Sequence, residues 1–360
     1  MLLTTELRPV FDESSKIAFS LFGLDVTWYA LIILTGAIVG SIIGYFCFAK
    51  RLHFNSDLLF EGLALGLLFG VIGARLYYVL FYGHKFNSFW DMINPRNGGL
   101  AIHGALIATA IFLPIWCKLR HVKLLYLIEI AMPLIMLAQV FGRWGNFVNQ
   151  EAFGGLIKYP GMVDNLQPLT DEALIAQRDF LHKLLIPNFI INRMYISSSP
   201  AAGFTVPGYY HPTFLYESIL NLIGLSAYMI IRKYTKKIYV GESLNFYLIW
   251  YGIVRFFIES LRTDPLMFFN TNIKVAQLIS VIFVVVGVTF FILRRCFKWK
   301  LISAKEALYG EGSSMMITAD DKGSLEQNPQ DTANDTEEKE KKAKGKKKPN
   351  KQDEKDNKNK

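Results

Sequence analysis

The chain has 360 residues, of which 52% are hydrophobic and 19% are charged, and its formal net charge at pH 7 is +9. Its mean hydropathy is +0.26 although residues 310–360 are almost wholly polar. This composition indicates a membrane protein and excludes an ordinary soluble one. Because the polar end supplies part of the positive charge, the net charge says little about the apolar body.

Seven apolar stretches are long enough to cross a hydrocarbon core of about 30 Å. They are too long and too uniformly apolar for barrel strands, so each is expected to be a helix. In chain order they cover approximately residues 28–48, 58–82, 99–117, 124–142, 212–231, 242–260 and 275–293. The sequence therefore predicts an all-α integral membrane protein with seven transmembrane helices.

Basic residues predict the orientation of these spans. They cluster on alternate connections: Lys50 and Arg51; Lys118, Arg120 and Lys123; Arg232, Lys233, Lys236 and Lys237; and Arg294, Arg295, Lys298 and Lys300. Since positive loops face the cytoplasm, the N-terminus is expected outside and the C-terminus inside. Cys47, Cys117 and Cys296 then lie at cytoplasmic ends, where thiols stay reduced, and neither a disulfide nor a metal cluster is expected.

The chain divides into three predicted regions. Residues 1–27 are expected to form an external segment against the membrane surface, without the apolar core of a cleavable signal peptide. Residues 28–300 are the membrane body, with an insertion at 152–210 that forms a small external cap. Its TDEALIAQRDFLHKLL portion has helical apolar spacing. Residues 304–360 are expected to be a disordered cytoplasmic tail. Alternatively, the tail's lysines contact anionic lipid or ribosomal RNA.

Two of the predicted spans carry polar side chains along one face. These are Arg75, Tyr78 and Tyr82 in the second span, and Tyr251, Arg255, Glu259 and Arg262 in the sixth. A charge at the centre of a membrane helix costs roughly 2.5–3.5 kcal/mol and usually faces a polar cavity. Alternatively, Glu259 pairs with Arg255 or Arg262 one turn away and stabilises the bundle.

Two histidines lie near predicted external helix ends. His103 in GGLAIHGALIA has either a catalytic or a packing role. In HPTFLYE, proline suits the first helical position, so Thr213 is interpreted as a helix cap. The roles of His211, Tyr216 and Glu217 stay open at this point.

The stretch GRWGNFVNQE at 142–151 directly follows the fourth apolar run. Gly142 and Gly145 remove side-chain bulk on either side of Arg143, which would let a ligand or a helix approach the backbone. Arg143 is a bidentate donor suited to a phosphate, and Asn146 offers a donor and an acceptor beside it.

These blocks together resemble the prolipoprotein diacylglyceryl transferases of bacterial inner membranes. The resemblance includes GRWGNFVNQE, IHGALIA, HPTFLYE, GARLYYVLFY and YGIVRFFIESLR, in order, across about residues 20–295. It implies a seven-helix, multi-pass protein of the bacterial inner membrane, with its N-terminus outside. The implied activity moves the diacylglyceryl group of phosphatidylglycerol to the lipobox cysteine thiol of a prolipoprotein, forming a thioether and releasing glycerol phosphate. It implies no metal and no cofactor, and no nucleic-acid partner is expected.

The resemblance also implies site residues. His103 corresponds to the histidine proposed as a base, and Arg143 and Arg255 to two essential arginines. The matching substrate-binding positions are Tyr29, Asn146, Glu151, Gly154, Tyr251, Glu259 and Arg262. In the mechanism this predicts, His103 removes the thiol proton, with His211 as the alternate base, while the two arginines clamp the phosphate.

Two functions from other classes compete with this interpretation. A transporter or channel for anionic solutes could line its pathway with the same arginines, but no internal repeat or matched pair of broken helices is visible. A metal-dependent lipid headgroup transferase would need paired aspartates on a membrane helix, and the bodies of the predicted spans hold none, apart from Asp57 at the entrance of the second. An assay with phosphatidylglycerol and a lipobox peptide separates all three.

Overall fold

The structure is a computed structural model. It describes residues 7–21, 24–46, 50, 52, 55–83, 86, 88–93, 99, 101–158, 169–197, 206–235, 237–262, 267, 271–297, 302–309 and 316. Residues 1–315 form one unit and 316–360 a second, of which only Met316 is described. The predicted tail after Met316 therefore lies outside the described residues, and so does Cys47.

The described chain is mostly helical. Its helices are α1 (Trp28–Gly44), α2 (Ser56–Tyr82), α3 (Phe89–Ile93), α4 (Ile102–Leu119), α5 (Leu124–Asn149), α6 (Asp171–Lys183), α7 (Asn188–Arg193), α8 (Thr213–Tyr234), α9 (Glu242–Leu261), α10 (Val275–Cys296) and α11 (Ala304–Tyr309). Two antiparallel sheets of two strands each add β1 (Ile17–Leu21) with β2 (Leu24–Thr27), and β3 (Tyr195–Ile196) with β4 (Gly208–Tyr209).

Each of the seven apolar stretches coincides with a helix. Four helices, α2, α5, α8 and α10, are long and apolar enough to cross a membrane. Two more, α1 and α4, are apolar but shorter, and α9 carries the charged stripe of the sixth stretch. The protein is therefore a largely helical membrane protein. Most large side chains exposed on these helices are apolar, as expected of surfaces that face lipid.

The helices pack closely where small residues meet. At the crossing of α2 and α4, a Cβ atom on Gly104 would lie 2.2 Å from the carbonyl oxygen of Gly73. Similarly, a Cβ on Gly145 of α5 would lie 2.8 Å from the ring of Tyr29 on α1. Without side chains at these glycines, the helices approach at backbone distance, as small residues allow in membrane bundles.

Helix α5 ends later than the sequence predicts. The fourth apolar stretch ends at residue 142, whereas the helix continues to Asn149. The GRWGNFVN portion therefore forms its last two turns and does not follow the helix. Gln150 ends it in the left-handed conformation (φ 57°), and its side-chain amide donates to the carbonyl oxygens of Arg193 and Tyr195 at 2.7 and 3.2 Å. The extension is stable because it packs against protein on its apolar side, through Trp144 and Phe147.

The insertion after α5 has its own small core. The predicted helical portion is α6, which begins after Thr170, whose hydroxyl accepts a hydrogen bond from the backbone N–H of Ala173 at 3.3 Å. The most buried apolar residues of this core are Leu174, Leu181, Ile191 and Tyr209. Burial raises the pKa of the Tyr210 hydroxyl beside it to about 12.

The described N-terminal residues pack on this insertion. Leu7 is buried, and its carbonyl oxygen accepts a hydrogen bond from the Tyr209 hydroxyl at 3.1 Å. The guanidinium of Arg193 lies over the ring of Phe11, 4.3 Å from its centroid. The prediction placed residues 1–27 against the membrane surface, whereas these contacts attach their beginning to the insertion.

The start predicted for the tail is wrong. Residues 304–309 form α11, with Ala304, Ala307 and Leu308 all at most 4% exposed. The backbone N–H of Ala304 donates to the carbonyl oxygen of Ile238 at 2.8 Å, and that of Val240 donates to Ile302 at 2.8 Å. These few apolar residues suffice because they cover the connection between α8 and α9.

A buried ionic group lies near the start of α5, and we call Glu129, Tyr228, Arg232 and Ser243 the Glu129 cluster. The Glu129 carboxylate is 0% exposed and accepts from the Tyr228 hydroxyl and from the backbone N–H groups of Gly241 and Ser243, at 2.9 and 3.2 Å. Arg232 Nη1 lies 3.5 Å from Glu129 Oε1. The cluster joins α5, α8 and α9.

Candidate active site

Three helices bring charged side chains together at the opposite end of α5. Arg143 lies in the last two turns of α5, Glu217 in the first turns of α8, and Arg255 in the last two turns of α9. Since these helices alternate in direction, the end of α5, the start of α8 and the end of α9 lie at one end of the bundle. The predicted site residues Arg143 and Arg255 are therefore neighbours.

Glu217 lies between the two arginines. Its Oε1 accepts from Arg143 Nη2 at 2.7 Å, and its Oε2 accepts from Arg255 Nη1 at 3.2 Å. The Glu217 side chain is 2% exposed, while those of Arg143 and Arg255 are 19% and 14% exposed. The carboxylate is thus buried, whereas each arginine side chain keeps a small accessible area.

The ionic chain continues along α9. Arg255 Nη2 lies 2.7 Å from Glu259 Oε2, and Arg262 Nε lies 4.0 Å from the same oxygen. The pairing that the sequence offered as an alternative role for Glu259 is therefore present. The ammonium of Lys274 donates to the carbonyl oxygen of Glu259 at 2.8 Å, next to the end of this chain. We call Arg143, Glu217, Arg255 and Glu259 the Glu217 cluster.

Three further predicted residues lie beside Arg143. Asn146, one turn along α5, accepts from Arg143 Nη1 through its Oδ1 at 3.4 Å. The ring of Tyr29 packs on Gly145, which lies two residues after Arg143. Tyr251 of α9 interacts with Arg143 and stacks on Tyr247, with ring centroids 5.4 Å apart. A Cβ on Gly142 would meet no atom within 4 Å, so the helix surface at Gly142 is open.

His103 lies apart from these residues. It is exposed near the start of α4, and its described contact is with the ring of Tyr77 on α2, with centroids 6.0 Å apart. Arg75, on the predicted stripe of α2, donates to the carbonyl oxygens of Asp91, Met92 and Gly99. Arg75 thus joins α2 to α3 and to Gly99.

The connection between α5 and α8 contacts the residues next to the Glu217 cluster. The backbone N–H of Gly154 donates to the carbonyl oxygen of His211 at 2.8 Å, and Gly154 forms an isolated bridge with Arg262. His211 Nδ1 lies 3.3 Å from the Tyr216 hydroxyl, and burial lowers the pKa of the imidazole, which favours its neutral form. Glu151 is exposed and accepts from Asn149 Nδ2 at 3.0 Å.

Thr213 does not cap α8 as predicted. Pro212 occupies the cap position, one residue before the place that the sequence suggested, and makes no side-chain cap. The Thr213 hydroxyl instead donates to the carbonyl oxygen of Ala152 at 2.6 Å, which ties α8 to the chain after α5. A proline has no backbone N–H to lose, so it is tolerated there.

Sequence reasoning missed Glu217, which the structure places at the centre of the site. One signal was available: a carboxylate in the first turns of a membrane helix needs a cationic partner. The sequence offers several arginines, however, and does not say which of them it meets. Among the residues that the structure describes, no group of three or more metal-ligating side chains is close enough to hold a metal ion.

Fold and site together define a largely helical membrane protein with a pair of partly accessible arginines held by a buried carboxylate. The family model of prolipoprotein diacylglyceryl transferase matches residues 16–293. Phosphatidylglycerol--prolipoprotein diacylglyceryl transferases of Staphylococcus aureus, from strains MSSA476 and Newman, are each 39% identical to this chain over 287 residues, which are 79% of this chain and 91% of theirs. The chain therefore belongs to the prolipoprotein diacylglyceryl transferase family. It is a membrane transferase of lipoprotein biosynthesis.

Proposed function

We propose that this protein transfers the diacylglyceryl group of phosphatidylglycerol to the lipobox cysteine of a prolipoprotein. The cysteine sulfur forms a bond to the sn-3 glyceryl carbon, and the bond from that carbon to the phosphate oxygen breaks. Glycerol phosphate leaves with the bonding electrons, and a base takes the thiol proton. The observation that supports this best is the convergence of Arg143 and Arg255, both partly exposed, on one carboxylate.

The arginines are assigned to the phosphate because of their donor geometry. Two guanidinium groups present parallel N–H pairs that match phosphate oxygens, and in a site shielded from water these contacts count more than in solution. Asn146, Tyr29 and Tyr251 border Arg143 and are assigned to orientation of the headgroup. Glu151, Gly154, Glu259 and Arg262 are proposed to complete the substrate site by holding its frame.

A histidine is assigned as the base. A cysteine thiol has a reference pKa of about 8.5, so a neutral imidazole would accelerate its ionisation. His103 is assigned this role because it lies near the same end of the bundle on an exposed surface. His211 is the alternate base, since its lowered pKa favours the neutral form.

The proposed setting is the bacterial inner membrane, with seven spans, an external N-terminus and insertion, and a cytoplasmic C-terminus. Residues 1–27 are the external segment, 28–300 the body and the chain after α11 a cytoplasmic tail. The alternation of basic connections supports this orientation. Thiol labelling should rely on Cys296, which is exposed, because Cys117 is buried and would resist any reagent. An impermeant reagent outside intact spheroplasts should leave Cys296 unlabelled.

The decisive experiment combines the purified chain, phosphatidylglycerol vesicles and a lipobox peptide, followed by mass spectrometry. The peptide should gain the mass of one diacylglyceryl group on sulfur, and glycerol phosphate should appear in equal amount. A peptide with serine in place of the cysteine is the matched control and should gain nothing. Absence of the adduct with protein that is folded and inserted would reject the proposed reaction.

A further inference from the structure

The carboxylate of Glu217 accepts hydrogen bonds from both arginines that the proposed function assigns to the lipid phosphate. Its two oxygens lie 2.7 Å from Arg143 and 3.2 Å from Arg255, one oxygen on each guanidinium. Carboxylates and phosphates bind arginine through the same pairs of N–H donors. The side chain and the substrate therefore compete for one set of donors.

Two further donors are engaged outside this pair of contacts. Arg255 Nη2 contacts Glu259, and Arg143 Nη1 contacts Asn146. A phosphate that bridges the two arginines would take the donors that Glu217 now holds, because those are the donors that converge on one anion. It cannot simply add beside the carboxylate, since two anions in contact repel strongly where the dielectric constant is low.

We propose that Glu217 is a positioning residue that stands in for the substrate phosphate and is displaced by it. This inference rests on the proposed function, because it takes the ligand to be the donor lipid's phosphate. Without substrate, Glu217 holds Arg143 and Arg255 at the spacing that a bound anion needs. When the reaction ends, the carboxylate returns to the arginines and expels glycerol phosphate.

Glu217 is not placed to remove the thiol proton. The sulfur must attack the glyceryl carbon from the side opposite to the leaving phosphate, so a group beside the phosphate is remote from the thiol. The same placement explains why a carboxylate is tolerated inside the bundle: two guanidinium groups compensate its charge. Its function is therefore exerted through the arginines.

The test compares Glu217→Gln with Glu259→Gln. Glutamine keeps the size of the side chain but gives up the negative charge, so Glu217→Gln should bind inorganic phosphate and glycerol phosphate roughly tenfold more tightly. Its KM for phosphatidylglycerol should fall, and its kcat should fall as well because the product leaves more slowly. Glu259→Gln removes the same charge from the same Arg255 but leaves the space between the arginines filled, so phosphate affinity should not rise.

Binding is measured by calorimetric titration of the purified full chain in nanodiscs, without turnover, and KM and kcat come from the transfer assay. Unchanged or weaker phosphate binding by Glu217→Gln would overturn the inference, and so would an equal gain in both variants, which indicates a general charge effect. If Glu217→Gln does not fold, Glu217→Asp decides, because its shorter carboxylate reaches one arginine less well. It should bind phosphate roughly threefold more tightly, and no gain there overturns the inference.

The two proposals fail in different ways. If the wild type makes no lipidated peptide while Glu217→Gln binds phosphate more tightly, the proposed reaction is wrong and the displacement stands. If the wild type makes the lipidated peptide while neither Glu217→Gln nor Glu217→Asp binds phosphate more tightly, the displacement is wrong and the reaction stands.

Discussion

Helix α5 carries an arginine–glutamate cluster near each end, about 21 Å apart along its axis. In the Glu129 cluster, the carboxylate is 0% exposed, the Arg232 side chain is 1% exposed, and backbone N–H groups and a hydroxyl complete the contacts. In the Glu217 cluster, the carboxylate is equally buried but both arginines reach accessible space. The same pair of residue types is thus fully buried at one end and partly exposed at the other.

The difference lies in which partner is sealed. A buried charge must be compensated wherever it occurs, so pairing alone says nothing about function. Access of the cation to solvent or ligand is what separates the two clusters. A buried arginine–glutamate pair in a membrane bundle should therefore be judged by the exposure of the arginine.

The largest effect is expected if the Glu129 cluster stabilises the fold. Arg232→Met leaves the Glu129 charge buried without its cation and should lower the free energy of unfolding by about 3–5 kcal/mol. Denaturant titration of the purified protein in detergent would measure this. Transfer activity per folded molecule should stay near the wild-type value, and a selective loss of activity in stable protein would contradict the structural role.

The next largest effect is expected at Arg143. Arg143→Lys keeps the charge but loses the paired donors, and kcat/KM should fall about 100- to 1000-fold, the range for removal of one donor to a developing charge. Unfolding by denaturant should change little. The deficit should be the same from about pH 6 to 9.5, since the lipid phosphate stays charged throughout, and the transfer rate measures it.

The next prediction tests whether His103 takes the thiol proton at the end of the bundle that holds the Glu217 cluster. His103→Gln should slow transfer roughly tenfold at pH 6, where few peptide thiols ionise unaided, and the deficit should shrink towards pH 9.5, above the reference thiol pKa of about 8.5. Initial rates against pH give the result. A flat deficit would make His103 a packing residue, and His211→Gln should then show the recovery instead.

The smallest effects concern the C-terminal residues. Truncation after Met316 should leave the transfer rate unchanged, because α11 is retained. Truncation after Ile302 removes Ala304 and Leu308 from the connection beside the Glu129 cluster and should lower the free energy of unfolding by about 1–3 kcal/mol, the usual range for losing a small number of buried apolar groups. Rates and denaturant midpoints of the two proteins provide the measurement. Loss of transfer in the longer, stable protein would give the tail a catalytic part.

The sequence predicted the helices better than their ends. Apolar runs locate the seven helices because hydrophobicity decides what enters a membrane. The extension of α5 to Asn149 is invisible to that criterion, since its last turns contain Arg143, Asn146 and Asn149 and are held by packing of Phe147 and contacts of Gln150. For the same reason α11 was missed: three buried residues in a polar stretch give no detectable pattern.

The site was predicted in part, because position along a helix can be predicted from the sequence and contacts between helices cannot. Helix position allows Arg143 and Arg255 to be predicted near one end of the bundle, and both contact Glu217. Azimuth around each helix determines which side chains meet, and it depends on crossings such as Gly145 against Tyr29 that no single sequence specifies. Glu217 was therefore left without a partner, although its charge already required one.

The contact of Gly104 with Gly73 has a consequence for genetics. Gly104 neighbours His103, and any side chain there would push α4 away from α2 and move the imidazole without altering a reactive group. A screen scored by transfer activity alone would therefore rank this glycine with the arginines. Only a measurement of folding beside activity distinguishes a lesion in the scaffold from a lesion in the chemistry.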